Sequence, residues 1–254
     1  MLDFSVMSLA LETSGAAPLY REVKRLLTLR IAAHEWPPGT PLPSEGKLGD
    51  MFQVSIGTIR KAIDELVAER IVVRHQGRGT FVATHGQSRL LFHFFHIVPH
   101  RGERQLPTTR TLSFRRARAD AAQAEKLHLG AGDPVYRIRD LLFLAGRPVI
   151  LDDLVLPQRL FPDLSEKIFT GRDNTIYHLY QARYGVNVLR TSERLRATVA
   201  ESGAAKLLGL KKGAPLLEIN RVALTYHNAP VELRRSLVDT SEHEYFSDLG
   251  KAER

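Results

Sequence analysis

Residues 37–82 carry three local signals at spacings that leave few folds open: a capped short helix, a second amphipathic helix and a glycine-punctuated β-ribbon. Pro43-Ser44-Glu45 announces the first helix, with Ser44 able to accept from a first-turn amide and Glu45 favoured by the positive end of the helix dipole. That helix is expected to end near Phe52. Ser55 offers a second N-cap, after which Ile59, Ala62, Ile63, Leu66 and Val67 recur at i, i+3, i+4, i+7 and i+8 as one apolar stripe. The opposite side carries Gly57, Lys61 and Asp64, flanked by Thr58, Arg60 and Glu65, so its N-terminal half is small, polar and basic.

Residues 71–75 and 80–83 read as two short strands joined by Gln76-Gly77-Arg78-Gly79, whose glycines permit the positive φ of a tight hairpin turn. Helix, short turn, helix and basic hairpin together describe a winged helix-turn-helix. In that arrangement the second helix enters the major groove and the wing lies along the adjacent backbone or minor groove.

These residues resemble the DNA-binding domain of the GntR family of bacterial transcription regulators over about residues 18–84. The resemblance is carried by Pro18-Leu19-Tyr20, Pro38-Gly39, Leu42-Pro43-Ser44-Glu45, Val54-Ser55, Thr58-Ile59-Arg60-Lys61-Ala62 and Gly77-Arg78-Gly79-Thr80-Phe81-Val82. It implies that Lys47, Ser55, Thr58, Arg60 and Lys61 serve the groove, and that Gln76, Gly77, Arg78 and Thr80 form wing contacts. Two positions depart from the family pattern: Gly46, where a long polar or basic side chain is common, and Ile56, where an arginine is. A base preference of its own is therefore expected.

The net charge of +8 and a pI near 9.9 favour a polyanionic partner such as double-stranded DNA. Within residues 18–85, however, ten basic residues face seven acidic ones, so much of the excess lies downstream. Cysteine is absent, which excludes disulfides, thiolate metal sites and a cysteine nucleophile and fits a reducing cytoplasm. Asp3 stands where a signal peptide needs basic residues, and the apolar stretch 90–98 is interrupted by His93 and His96. Neither a signal peptide nor a membrane span is expected. No metal-ligand spacing, phosphate-binding glycine loop or nucleophile elbow is found, so no cofactor, metal or catalytic residue is assigned.

The remaining chain divides into a disordered tail at 1–17, a linker at 85–89 and a second domain at 90–250, as expectations within the error of boundaries read from sequence. The second domain contains a weak repeat. Residues 111–119, 120–129, Gly132-Asp133-Pro134-Val135 and Gly146-Arg147-Pro148-Val149 echo 192–200, 201–210, Gly213-Ala214-Pro215-Leu216 and Asn228-Ala229-Pro230-Val231. Each copy reads strand, helix, strand, turn, strand, with Asp120 or Glu201 capping the helix and Ala145-Gly146 or His227-Asn228 making the turn. Two such units can join edge to edge into one antiparallel sheet with the helices on one face. Between the copies, residues 175–184 read as another helix, with Ile176, Leu179, Tyr180 and Tyr184 spaced to face a core.

This pattern is similar to the UTRA domain, the effector-binding module of the HutC-like branch of the GntR family. The resemblance implies an α+β chain: an N-terminal winged helix-turn-helix followed by a chorismate-lyase-like α+β domain with an antiparallel sheet. It also implies that Asp152 and Glu232 accept hydrogen bonds from an effector and that Thr175 offers a helix-start hydroxyl. His93 lies on a strand that lines the family pocket. Where phosphosugar-responsive relatives place a phosphate-gripping Arg-x-Arg pair this chain has Asp140 and Leu142, whereas Arg194 and Arg196 share one strand face by period-2 geometry. Anion binding through Arg194 is the resulting expectation.

The whole reads as a cytoplasmic, homodimeric repressor released from a palindromic operator by a small polar or carboxylated metabolite. The alternative is an enzyme acting on a small carboxylate through the second domain, which turnover of candidate carboxylates would reveal.

Overall fold

The computed structural model describes residues 18–69, 71–84 and 94–247, and the chain divides into two compact units between Thr84 and His85. The expected N-terminal tail, the linker and His93 lie outside the described residues.

In the first unit, helix α1 (Leu19–Ala32) buries Val23, Leu26, Leu27 and Ile31, the i, i+3, i+4, i+8 set that one helical face requires. Helix α2 (Glu45–Phe52) starts where Ser44 accepts from the Lys47 amide, and it ends where Gln53 turns left-handed. Helix α3 (Ile56–Ala68) starts where Ser55 accepts from the Thr58 amide, and it buries Ile59, Ala62, Ile63 and Leu66. Val67, the last residue of the expected stripe, is only partly buried.

Strands β1 (Val72–His75) and β2 (Gly79–Val82) form the wing, with Gly77 and Gly79 at positive φ in its turn. A segment ahead of α2 joins them. Pro41 bridges to Phe81, Leu42 donates to the Thr80 carbonyl at 2.8 Å and Val82 donates to the Thr40 carbonyl at 2.9 Å. These bonds satisfy the wing's outer backbone groups and tie it to the start of α2.

The second unit is built on a six-stranded antiparallel sheet in the order β4-β5-β6-β9-β8-β7. The first copy of the repeat supplies β4 (Thr108–Arg118), α4 (Ala121–Leu127), β5 (Pro134–Leu144) and β6 (Arg147–Pro157). The second supplies β7 (Arg190–Val199), α7 (Ser202–Leu208), β8 (Pro215–Leu224) and β9 (Pro230–Val238). The copies meet where β6 pairs with β9, Asp152 opposite Ser236. Ala145 and Gly146, both at positive φ, turn β5 into β6 as the two-residue hairpin requires.

Helices α4 and α7 pack on one face, over Val135 and Val155 and over Leu141, Leu151 and Leu237 respectively. The opposite face is covered too, contrary to the one-face expectation. There α5 (Glu166–Thr170) and α6 (Ile176–Tyr184) bring Phe169, Tyr177 and Tyr180 against Tyr136, Ile138 and Leu154. A two-stranded ribbon, β3 (Ile97–Pro99) with β10 (His243–Tyr245), packs Ile97 and Tyr245 near Leu142, Ile150 and Val238. Of the apolar stretch 90–98, Ile97 and Val98 are strand among the described residues, and β3 runs on to Pro99.

Candidate functional site

The two N-caps fix the start of each helix in the first unit and so place the polar candidates. Ser55 stands at the head of α3, exposed, its hydroxyl 2.9 Å from that of Thr58. Arg60 and Lys61 follow on the exposed side of α3, but neither is idle. Arg60 donates to one oxygen of Glu45 at 2.9 and 3.1 Å, and the Lys61 ammonium stands 4.1 Å from the centre of the Tyr20 ring. Both are surface contacts in high dielectric, which a phosphate or base edge can replace at small cost. Lys47 is exposed in the first turn of α2.

At the wing tip Gln76, Gly77 and Arg78 are exposed, with the Arg78 guanidinium 5.8 Å from the Phe81 ring. Thr80 is half-buried in β2. Arg74, which sequence reasoning passed over, pairs with Asp64 of α3 at 2.5 Å and with Glu45 at 3.5 Å. Glu45 is thus more than a first-turn acid: it links α2, α3 and the wing. At Gly46 a Cβ would meet nothing within 4 Å, and Ile56 is 50% exposed, so both departures sit on open surface.

In the second unit, the sheet face away from α4 and α7 carries a cavity of about 600 Å³, bounded also by the start of α6 and the β3–β10 ribbon. Register decides what lies beneath it. One cross-strand row runs Leu154, Arg234, Arg221, Glu193, and the next runs Asp140, Asp152, Ser236, Ile219. Arg234 donates to both oxygens of Glu232 at 3.0 and 3.2 Å and to Asp152 at 3.2 Å. Burial alone would lower its pKa, but Glu232 and Asp152 hold the guanidinium charged. Arg221 pairs with Glu193 at 2.5 Å and donates to the Phe94 carbonyl at 2.7 Å.

Asp152 lines the cavity, yet it is 2% exposed, accepting from Ser236 on one oxygen and from Arg234 on the other. Thr175 also lines the cavity, as the N-cap whose hydroxyl accepts from the His178 amide at 3.2 Å. Glu232 does not reach the wall. It is fully buried behind it, accepting from the Tyr177 hydroxyl at 3.2 Å and from the Tyr180 hydroxyl at 2.7 Å as well as from Arg234. Burial, and then the Glu232 charge, push Tyr177 up to about 12. These phenols stay protonated donors that fix the carboxylate in place.

Arg194, expected to bind an anion, does not line this cavity. Arg194 stands opposite Asn220 and Arg196 opposite Glu218, one residue out of phase with Arg221, so both point to the α7 side of the sheet. There Arg196 pairs with Glu218 at 2.9 Å. Arg137 and Arg139 also miss the cavity, and Arg139 is bidentate to Asp153. Among the described residues, the arginines that line the cavity are Arg172, Arg221 and Arg234. For Arg234 a signal was available, since it lies two residues after Glu232 and period 2 puts both on one face. Arg221 needed the register, and Arg172 needed the docking of the loop before α6. His96 lines the cavity, its pKa lowered chiefly by burial.

Among the described residues no helix is long and apolar enough to cross a membrane. The family model for gntR bacterial regulatory proteins matches residues 19–82, and that for the UTRA domain matches residues 102–244. The chain is 33% identical over 211 residues to a histidine utilization repressor of Pseudomonas putida, covering 82% of each chain. It is 29% identical over 216 residues to a fructoselysine utilization operon transcriptional repressor of Shigella flexneri, covering 85% of this chain and 88% of that one. The second unit is similar to the solved ligand-binding domain of a GntR-family transcriptional regulator from Bordetella bronchiseptica, with 35% identity, a TM-score of 0.59 and coverage of 61% of this chain and 96% of that one. These relatives are transcription regulators, which sets the enzyme alternative aside. The chain belongs to the gntR family of bacterial regulatory proteins, in the branch that carries a UTRA domain, and is a DNA-binding transcription regulator.

Proposed function

We propose that the protein is a cytoplasmic homodimeric repressor that binds a palindromic operator and is released from it by a small carboxylated metabolite held in the cavity of the second unit. The observation that carries this reading is a cavity floored by half-buried, paired arginines in a chain whose first unit is a DNA reader. The names of the two repressor relatives support the direction of control. Ser55, Thr58, Arg60 and Lys61, with Lys47 beside them, meet the major groove, while Gln76, Gly77, Arg78 and Thr80 meet the flanking backbone. Asp152 and Thr175 meet the effector directly, and Glu232 acts by holding Arg234.

Effector lowers operator affinity only by the difference in its own affinity for the DNA-binding and released states. The test is selection of a binding site from random DNA, followed by fluorescence anisotropy of that site with and without metabolite extracts. A palindromic site with half-sites about 10 bp apart centre to centre, and a dissociation constant raised by an extract fraction, are expected. A non-palindromic site bound by one chain, or affinity unmoved by any fraction, removes the proposal.

A further inference from the structure

The three arginines of the cavity are not equally committed. Arg234 spends donors on two carboxylates, and Arg221 spends them on Glu193 and the Phe94 carbonyl. Among the described residues Arg172 donates to the Phe169 carbonyl, and the carboxylate it faces is Asp140 at 3.9 Å, outside hydrogen-bond reach. Its guanidinium lies 4.5 Å from the centre of the Phe169 ring, which holds the planar fork in place. Arg172 is 11% exposed and Asp140 is fully buried with Oδ2 unpartnered, so this pair has lost water without closing. Burial accordingly pushes Asp140 up and Arg172 down.

Arg172 precedes the start of α6 by a few residues, and Asn174, Thr175 and Ile176 line the same cavity, adding the positive end of a helix dipole. Asp173 also lines it but is exposed, so its charge is screened by water. The other side of the cavity has a different character. Leu142, Ile150, Ile219 and Val238 present a hydrocarbon wall from the sheet, and Ile97 adds to it from the ribbon. A polyhydroxylated ligand would leave its hydroxyls unpaired there, at a cost an apolar body does not incur.

We propose that Arg172, at the start of α6, seats the carboxylate of an effector whose body is apolar and packs against Leu142, Ile150, Ile219 and Val238. The inference rests on the reading of this cavity as the effector site. It assigns the anion-binding side chain to the loop before α6 rather than to β5, where Asp140 and Leu142 stand. Guanidinium and carboxylate meet as a bidentate pair in a low-dielectric pocket, which an amide of the same shape cannot reproduce.

The test is isothermal titration calorimetry of the full chain with 3-phenylpropionate and hexanoate, their primary amides, gluconate and glucose 6-phosphate. The two apolar carboxylates are expected to bind, with their amides at least about tenfold weaker. In Arg172→Gln the preference for acid over amide should vanish, and in Arg172→Lys it should shrink to a few-fold. Because the preference is a ratio within one variant, a general loosening of the fold does not mimic it, and the lysine variant reads it if the glutamine variant fails to fold. An unchanged preference in Arg172→Gln, or binding of gluconate or glucose 6-phosphate in place of the apolar acids, overturns the inference. So does binding of none of the probes. Operator anisotropy keeps the two readings apart: if glucose 6-phosphate or a metabolite extract releases DNA while the apolar acids do not, only the ligand class falls.

Discussion

Ser55 accepts from the Thr58 amide in the first turn of α3 and at the same time stands at the helix end expected to enter the groove. Its replacement by alanine should cost about 1 kcal/mol through the lost cap. Urea unfolding of the first unit, followed by circular dichroism, should show that loss in Ser55→Ala, and Ser55→Gly should recover most of it because glycine is itself a tolerated cap. The capping expectations for the repeat split along side-chain length. Asp120 accepts from the Gln123 amide while Gln123 reaches back to the Asp120 amide, a complete capping box. Glu201, one methylene longer at the equivalent position, makes no side-chain cap bond.

Glu218 gives a residue-scale prediction with a definite sign. It is 2% exposed, and burial alone would raise its pKa, but hydrogen bonds from Arg235, Arg196 and Asn220 bring it from 4.5 down to about 2. A depressed carboxylate stabilises the fold fully above its unfolded value, and that contribution is lost as pH falls toward the folded value. Glu218→Gln should therefore be less stable than the parent at pH 7 by about 1–2 kcal/mol, a figure reduced because both arginines are partly exposed. The difference should narrow between about pH 4.5 and pH 2, as melting curves of the two proteins across that range would show.

At the scale of elements, the wing differs from a free hairpin because residues 39–42 pair along β2 and Arg74 ties β1 to α3. A fixed wing presents Arg78 as a backbone contact without ordering cost at the moment of binding. Arg78→Ala should weaken operator and random DNA by the same factor and reduce the slope of log affinity against log salt by about one. Arg60→Ala should behave differently, flattening base preference at one position of each half-site by a factor on the order of ten. Titrations of operator and scrambled duplexes at several salt concentrations separate these outcomes. An Arg60 variant with intact base preference would place that side chain outside the groove.

On the scale of the whole molecule, each unit closes its own core: Val23, Leu27, Leu48, Ile59 and Leu66 in the first, and Tyr136, Phe161, Phe169 and Tyr180 in the second. The solved Bordetella bronchiseptica ligand-binding domain spans a comparable stretch alone. Residues 90–250 made by themselves should fold and bind an effector within about twofold of the full chain, with no affinity for operator DNA. A fragment that stays unfolded by circular dichroism would show that the second core depends on the first unit.

Much of this protein was legible from local order. Helix starts at Ser44 and Ser55, the buried stripe of α3, the glycine turn of the wing and the doubled β-α-β-β unit all follow from caps, periodicity and turn residues acting within a few positions of each other. The site in the second unit was legible only in part. Asp152 and Thr175 line the cavity, but Glu232 sits behind its wall and Arg194 lies on the far face, while among the described residues Arg172, Arg221 and Arg234 bring positive charge to it. In a sheet covered on both sides, alternation says which residues share a face but not which face meets the cavity. That was settled by the pairing of β7, β8 and β9 and by α5 and α6 folding over one side, contacts between residues far apart in the chain that no local pattern encodes.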